Sequence, residues 1–261
     1  MTFEEETLVL PMAIVDPALR SIPLFSQLRE GDIWRIREAA VARNHPKDSI
    51  IVFESDAADA LYVVLNGTVK LVHTAEDGRE VILATRGKGD FFGELSLIDD
   101  QPLSAHVIAM QASELLILRR DDFRRCLADM PGISMGLLRA LCARLRRADS
   151  MIGGLVLLDV KGRVARIILE MALQNDGSNV PKGITHQTIA QMIGASRETV
   201  SRMLREMTNQ GLIVVTGRRI AVGDRAALKA SAQLDEYGKY EQRAEPPHEN
   251  LGRRASDQVP A

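Results

Sequence analysis

The chain has 261 residues, 46% of them hydrophobic, with 33 Lys and Arg against 35 Asp and Glu for a formal charge of −2. That apolar content excludes an intrinsically disordered chain, the length suits two domains with separate cores, and no apolar run is long enough to cross a bilayer. The cysteines, Cys126 and Cys142, lack CxxC spacing, which excludes a disulfide framework and a four-cysteine metal site and suits two small core or interface residues.

The acidic start from Met1 to Glu6 lacks the basic and then apolar layout of a signal peptide, so a cytoplasmic protein is expected. From Pro17 to about Arg43 the chain reads as a helical entry segment whose Leu24, Phe25, Leu28, Ile33, Trp34 and Ile36 supply apolar contacts. From Ser49 to Arg119 the texture changes to short β-branched runs: Ile50 to Phe53, Leu61 to Leu65, Val69 to Val72, Val81 to Leu83, Val107 to Ala109 and Leu115 to Leu118. Turn residues such as Asn66-Gly67, Asp77-Gly78 and Gly87 to Asp90 separate them, the pattern of a β-barrel or double-sheet jelly roll.

After Pro131 comes an apolar seam, Leu138, Leu141, Leu145, Ala148, Ile152 and Leu155, in alternating steps of three and four. Arg139, Arg144, Arg146 and Arg147 flank this narrow stripe, which points to a helix paired with its twin in a homodimer. Packing of the seam on its own barrel is the other reading. Residues 160–174 read as a further helix leading into the most informative stretch.

Residues 185–211 read as two short helices joined by a turn, the pattern of a DNA-reading helix-turn-helix. Ile189, Ala190 and Ile193 form the apolar face of the first helix, Gly194 reverses the chain, and Ser196 is placed to cap the second. There Val200, Met203, Leu204 and Met207 recur at helical spacing, which turns Arg197, Glu198, Ser201, Arg202 and Arg205 outward. Arginine can bridge the two major-groove acceptors of guanine, and glutamate can accept from the cytosine amino group. Arg197, Glu198 and Arg202 are therefore the expected base readers, with Ser196, Thr199, Ser201 and Arg205 completing the face. Leu212 to Thr216 and Arg218 to Val222 read as the two strands of a wing whose Arg218 and Arg219 meet backbone phosphate.

Charge distribution agrees. Residues 160–230 hold eleven basic and five acidic side chains, a surplus of six that leaves −8 on the remainder. A basic module carried by an acidic one is the electrostatic footprint of a DNA-binding domain attached to a controlling domain. From about Ser231 apolar residues thin out and Pro246-Pro247 and Pro260 appear, so residues 231–261 read as a disordered tail.

The expected fold class is α+β: an N-terminal double-stranded β-helix (jelly-roll) effector domain over 1–130, a dimerisation helix and hinge over 131–158, and a C-terminal winged helix-turn-helix over 159–230. This arrangement resembles the cyclic-AMP receptor protein / FNR superfamily of bacterial transcription regulators over roughly Leu24 to Leu228. The resemblance rests on Gly89 to Leu97 in the barrel, Leu158 to Ala165 at the hinge and Ile193 to Leu204 in the reader.

The resemblance implies a phosphate-binding cassette in which Gly93, Glu94 and Leu95 line a cyclic-nucleotide site and Ser104 contacts the phosphate. It also implies a palindromic operator with half-sites like TGTGA about one helical turn apart, read by Arg197, Glu198 and Arg202, with RNA polymerase as a partner. The chain departs from the family at Leu103, where cyclic-AMP binders carry an arginine, and at Ala148 and Asp149, where a Thr-Ser pair meets adenine. Leucine cannot pair with a phosphate, and a buried unpaired phosphate costs several kcal/mol. Cyclic di-GMP is thus favoured over cyclic AMP, with Asp149 or Glu94 accepting from guanine and arginines such as Arg79, Arg86 or Arg146 serving its phosphates. A ligand-independent member with a vestigial pocket is the alternative.

Two cysteines cannot hold the iron-sulfur cluster of the FNR branch, and His45, His73, His106, His186 and His248 are too scattered to suggest haem. An enzyme finds little support, since the sequence has no nucleophile elbow, P-loop or metal-ligand cluster and Glu94 with Ser96 reads as part of a binding turn. A cyclic-nucleotide module regulating a channel or kinase is a further rival, but the sequence lacks a membrane span and a kinase signature. No catalytic residue and no metal is expected.

Overall fold

A computed structural model describes residues 19, 20, 22–57 and 59–232. A helical turn region and α1 (Glu30–Ala39) lead into an eight-stranded antiparallel double sheet: β1 (Ala40–His45), β2 (Ile50–Val52), β3 (Ala60–Asn66), β4 (Thr68–Thr74), β5 (Glu80–Gly87), β6 (Phe91–Phe92), β7 (His106–Ala109) and β8 (Ser113–Arg119). One sheet runs β1-β8-β3-β6 and the other β2-β7-β4-β5. A short helix α2 (Glu94–Asp99) follows β6. The jelly roll expected from the turn spacing is therefore present.

Its core is drawn from both sheets and from the entry segment, with Leu24, Phe25, Ile33, Ile36, Leu61, Val63, Val69, Leu115, Leu118 and Phe123 all buried. Two expectations for the entry segment change. The helix ends at Ala39 and residues 40–45 form β1, paired with β8 from Ala40↔Leu118 to His45↔Ser113. The stretch Ala40 to His45 is rich in alanine and has Val41 as its single β-branched residue, so its own composition favours a strand only weakly and pairing with the edge of β8 decides it. Trp34, expected in the core, is 55% exposed.

After β8 the chain makes α3 (Arg120–Asp129), which the sequence reading did not identify, and then the long α4 (Pro131–Leu157) with proline in its first turn. The α3 apolar residues Phe123, Cys126 and Leu127 are few and pack into or against the barrel core instead of displaying a long stripe. The α4 N-terminal half is anchored on the same core by Ile133 and Leu137. Among the described residues no single helix is long and apolar enough to cross a membrane.

The second core is separate: Val164, Ala165, Ile168 and Leu169 of α5 (Val160–Asn175), Ile189 and Ile193 of α6 (His186–Ile193), Val200, Leu204 and Met207 of α7 (Arg197–Asn209), Ile213 of β9 (Ile213–Thr216), Ile220 of β10 (Arg219–Val222) and Leu228 of α8 (Arg225–Ser231). The predicted heptad, helix-turn-helix and wing are all present within a residue or so of their expected ends. The reader rests on the barrel through α6 and β5, where Gln191 Nε2 donates to Glu80 Oε2 at 2.7 Å. The proposed disordered tail falls, beyond Ala232, outside the described residues.

Candidate nucleic-acid interface and effector pocket

In the reader, Thr185 caps α6 by accepting from the Thr188 amide at 3.0 Å, and Ser196 caps α7 by accepting from the Thr199 amide at 3.2 Å. Between them Gly194 takes φ +63°, a left-handed turn that a residue with a Cβ adopts only at a cost. The α7 apolar positions Val200, Leu204 and Met207 are buried, so its opposite face is presented outward. That face gathers Arg197, Glu198, Ser201, Arg202 and Arg205 around one concave patch.

Among the described residues none of Arg197, Arg202, Arg205, Arg218 or Arg219 makes an ion pair within 4 Å, whereas several arginines of the barrel half do: Arg79 with Asp77, Arg124 with Asp100, Arg125 with Asp122. The Glu198 carboxyl lies back on its own helix start, where its own amide and the Ser196 hydroxyl hold its pKa below the usual carboxylate range. Thr199 is half-buried and its hydroxyl accepts from Ser196 Oγ at 3.0 Å, so its role in the free protein is to brace the cap. Ser201 Oγ lies 2.8 Å from His186 Nδ1, which ties the recognition helix to the first residue of α6. His186 was read only as one of five scattered histidines; its place immediately after the Thr185 cap was the available signal.

The hinge motif also acquires a physical meaning. Asp159 caps α5 by accepting from the Gly162 amide at 2.7 Å. Lys161 Nζ then reaches Glu206 Oε1 at 3.1 Å and Gln210 Oε1 at 2.8 Å, and Arg163 Nη1 donates to the Ile193 carbonyl at 3.1 Å. Lys161 and Arg163 thereby fasten both helices of the reader to α5. In the other direction Arg166 Nη1 donates to the Ser150 carbonyl of α4 at 2.9 Å.

In the barrel, Gly93 takes φ +88° between β6 and α2, and a Cβ there would stand 2.6 Å from the Ala60 carbonyl oxygen, so only glycine fits. Glu94 follows it, only 2% exposed. Its Oε1 accepts from Arg144 Nη1 of α4, and Arg144 Nη2 donates to the Phe91 carbonyl at 2.6 Å while its guanidinium lies 4.3 Å above the Phe91 ring. Among the described residues Glu94 Oε2 has no hydrogen-bond partner. Beside this pair lies a second buried cation, Arg86, 9% exposed, whose guanidinium pKa is lowered to about 10 by burial and by Arg144. Its Nη1 donates to the Thr85 carbonyl at 3.0 Å, and its buried Nε has no partner among the described residues.

The other expected pocket residues are not gathered there to the same degree. Leu103 is 9% exposed and packs in the barrel core, and Ser104 is exposed. Leu95 is 51% exposed on the outer side of its turn, and Asp149 is exposed on α4. Arg144 was read as a flanking position of the dimer seam, yet it points into the barrel. Its signal was its distance of 50 residues from Glu94, which no local pattern can express. The seam itself divides: Leu138, Leu145, Ile152 and Leu155 are between 48% and 64% exposed, whereas Leu141 packs partly against the barrel core.

Comparison with known proteins agrees with both halves. A cyclic nucleotide-binding domain model matches residues 42–130 and a Crp-like helix-turn-helix domain model matches residues 162–231. The chain is 33% identical over 224 residues to the CRP-like cAMP-activated global transcriptional regulator of Mycobacterium tuberculosis, covering 84% of this chain and 100% of that protein. It is 37% identical over 183 residues to the cAMP-activated global transcriptional regulator CRP of Salmonella typhimurium, covering 68% of this chain and 87% of that one. Among solved structures, FixK2 from Bradyrhizobium japonicum superposes at TM-score 0.66 and 25% identity over 73% of this chain and 96% of its own. The c-di-GMP responsive regulator CLP of Xanthomonas campestris shares the fold at TM-score 0.66 and 24% identity, over 75% of this chain and 99% of its own. With a β-roll of the cyclic-nucleotide type joined by a long helix to a Crp-like DNA reader, the chain belongs to the CRP/FNR superfamily of DNA-binding transcription regulators.

Proposed function

We propose that the protein acts in the cytoplasm as a homodimeric, non-enzymatic regulator that reads a palindromic operator and answers to a cyclic nucleotide. The observation that carries the reading is the outward face of α7, where arginines stand without carboxylate partners around Glu198. Such a face is solvated in the free protein and complementary to the major groove, where Arg197 and Arg202 can bridge guanine and Glu198 can leave its cap to accept from cytosine. Ser196, Thr199 and Ser201 hold the helix start in register, Arg205 continues the face, and Arg218 and Arg219 of the wing meet phosphate. The exposed Leu138, Leu145, Ala148, Ile152 and Leu155 pair with the same residues of a second copy, and RNA polymerase is the partner at the promoter.

For the effector, Gly93 and Glu94 form the floor of the site. The buried Arg86, with Arg147 among its charged neighbours, suits the two phosphates of cyclic di-GMP better than the single phosphate of cyclic AMP. Gel retardation of a TGTGA palindrome against a scrambled duplex, with and without cyclic di-GMP or cyclic AMP, tests the reading. A retarded dimer complex on the palindrome whose affinity depends on one of the nucleotides is expected. Equal affinity for both duplexes would refute specific reading.

A further inference from the structure

The turn after α2 carries no basic side chain, and β5 of the same barrel carries a buried one. Leu103 occupies the turn position and is packed among apolar neighbours, so that turn supplies no positive side chain to an anion. On β5, Arg86 lies directly opposite the fully buried Val69 of β4. Residues directly opposite across an antiparallel pair put their side chains on the same face, so Arg86 projects inward. Its charged neighbours there are Arg144, Asp90, Glu94 and Arg147.

A donor count separates the two inward arginines. Arg144 is committed, to Glu94 Oε1, to the Phe91 carbonyl and to the Phe91 ring. Arg86 has five N–H donors, and among the described residues it makes one hydrogen bond, to the Thr85 carbonyl, while its buried Nε makes none. Asp90 is also committed, accepting from the Gly87 amide at 2.9 Å, and makes no ion pair with Arg86. A guanidinium this deeply buried without a counter-ion is destabilising in the free protein, and an anion with several acceptor oxygens would relieve it. Beside it, the unpartnered Glu94 Oε2 is an acceptor for a hydroxyl or amide donor on the same ligand.

We propose that Arg86, reaching inward from β5, is the cation that holds the phosphodiester of a cyclic nucleotide in this protein, in place of a cation on the turn after α2. This rests on the reading of the pocket as a cyclic-nucleotide site. It identifies the ligand as a phosphodiester anion carrying at least one hydrogen-bond donor for Glu94.

The test is calorimetric titration of the full chain, wild type, Arg86→Met and Arg86→Lys, with cyclic AMP, cyclic di-GMP and the neutral nucleosides adenosine and guanosine, alongside thermal unfolding of each ligand-free protein. The phosphodiester that binds the wild type is expected to weaken about 10- to 100-fold in Arg86→Met, the range set by charged hydrogen bonds, and less in Arg86→Lys. Nucleoside binding stays unchanged, and ligand-free Arg86→Met melts no lower than wild type because it has shed an unpaired buried charge. Installing the missing cation by Leu103→Arg in the Arg86→Met background restores part of the affinity. Unchanged phosphodiester affinity in Arg86→Met overturns the proposal and leaves the effector reading standing. Equal losses for nucleotide and nucleoside, or a lowered melting temperature, overturn it by showing that Arg86 only supports the barrel. A wild type that binds neither cyclic nucleotide overturns both the proposal and the effector reading, while operator binding continues to judge the DNA reading separately.

Discussion

The recognition helix and the effector pocket are both rich in arginine, yet they use it oppositely. On α7 the guanidinium groups are exposed and make no ion pair among the described residues, so water stabilises them in the free protein. In the barrel Arg86 and Arg144 are withdrawn from solvent, so each must find an acceptor or carry a cost: Arg144 has found Glu94 and Phe91, and Arg86 largely has not. Exposed cations set association and sequence preference at little cost in stability, whereas buried ones tie ligand recognition directly to the stability of the domain.

Several substitutions can break this comparison. The largest expected effect lies between the two regions, on the helix that joins them. Leu145→Glu would bury an unpaired charge in the proposed dimer seam without touching either site. Because a dimer gains the second half-site intramolecularly, losing it is expected to weaken operator binding by about 10²- to 10⁴-fold. Light scattering should show a folded monomer, and a fully active dimer would mean that the seam packs elsewhere. Leu141→Glu is a poorer test, since Leu141 already packs partly against the barrel.

Next comes Arg144→Met, which leaves the buried Glu94 carboxylate without its partner and is expected to destabilise the barrel by about 3–5 kcal/mol. Denaturant unfolding checks this, and adding Glu94→Gln should recover most of the loss. Without that recovery, packing of Arg144 on Phe91 would be the dominant contribution. In the exposed region the losses should be smaller and should fall on binding: Arg202→Ala is expected to cost about 1–3 kcal/mol on the specific operator and to relax preference at one base pair. Arg218→Ala should weaken specific and random duplexes alike, and a titration of both variants on both duplexes separates base reading from phosphate contact.

The smallest effect concerns pH. Because the Glu198 carboxyl is held ionised by the α7 start and Ser196, its contribution is present above the ordinary glutamate pKa and is lost as pH falls through the lowered folded value. An NMR titration should find Glu198 titrating below the usual range in wild type and returning toward it in Ser196→Ala. Ser196→Ala should also cost about 1 kcal/mol through the lost cap.

What the sequence by itself determined is whatever has a local period or a local stop signal. The glycine turns of the barrel, the heptads of α4, the cap at Ser196 and the outward residues of α7 follow from spacings of two, three and four or from a single side chain reaching its own backbone, whereas the caps at Thr185 and Asp159 were recognised only in the structure. Only the tertiary structure decided that Ala40–His45 is a strand, because an edge strand takes its hydrogen bonds from β8 and not from its own composition. Likewise only the fold brings Arg86 of β5, Glu94 after β6 and Arg144 of α4 into one charged cluster and leaves Leu103 in the core. Those groups are separated by up to 58 residues, and burial, which makes their charges consequential, is a property of the packed barrel that no local pattern carries.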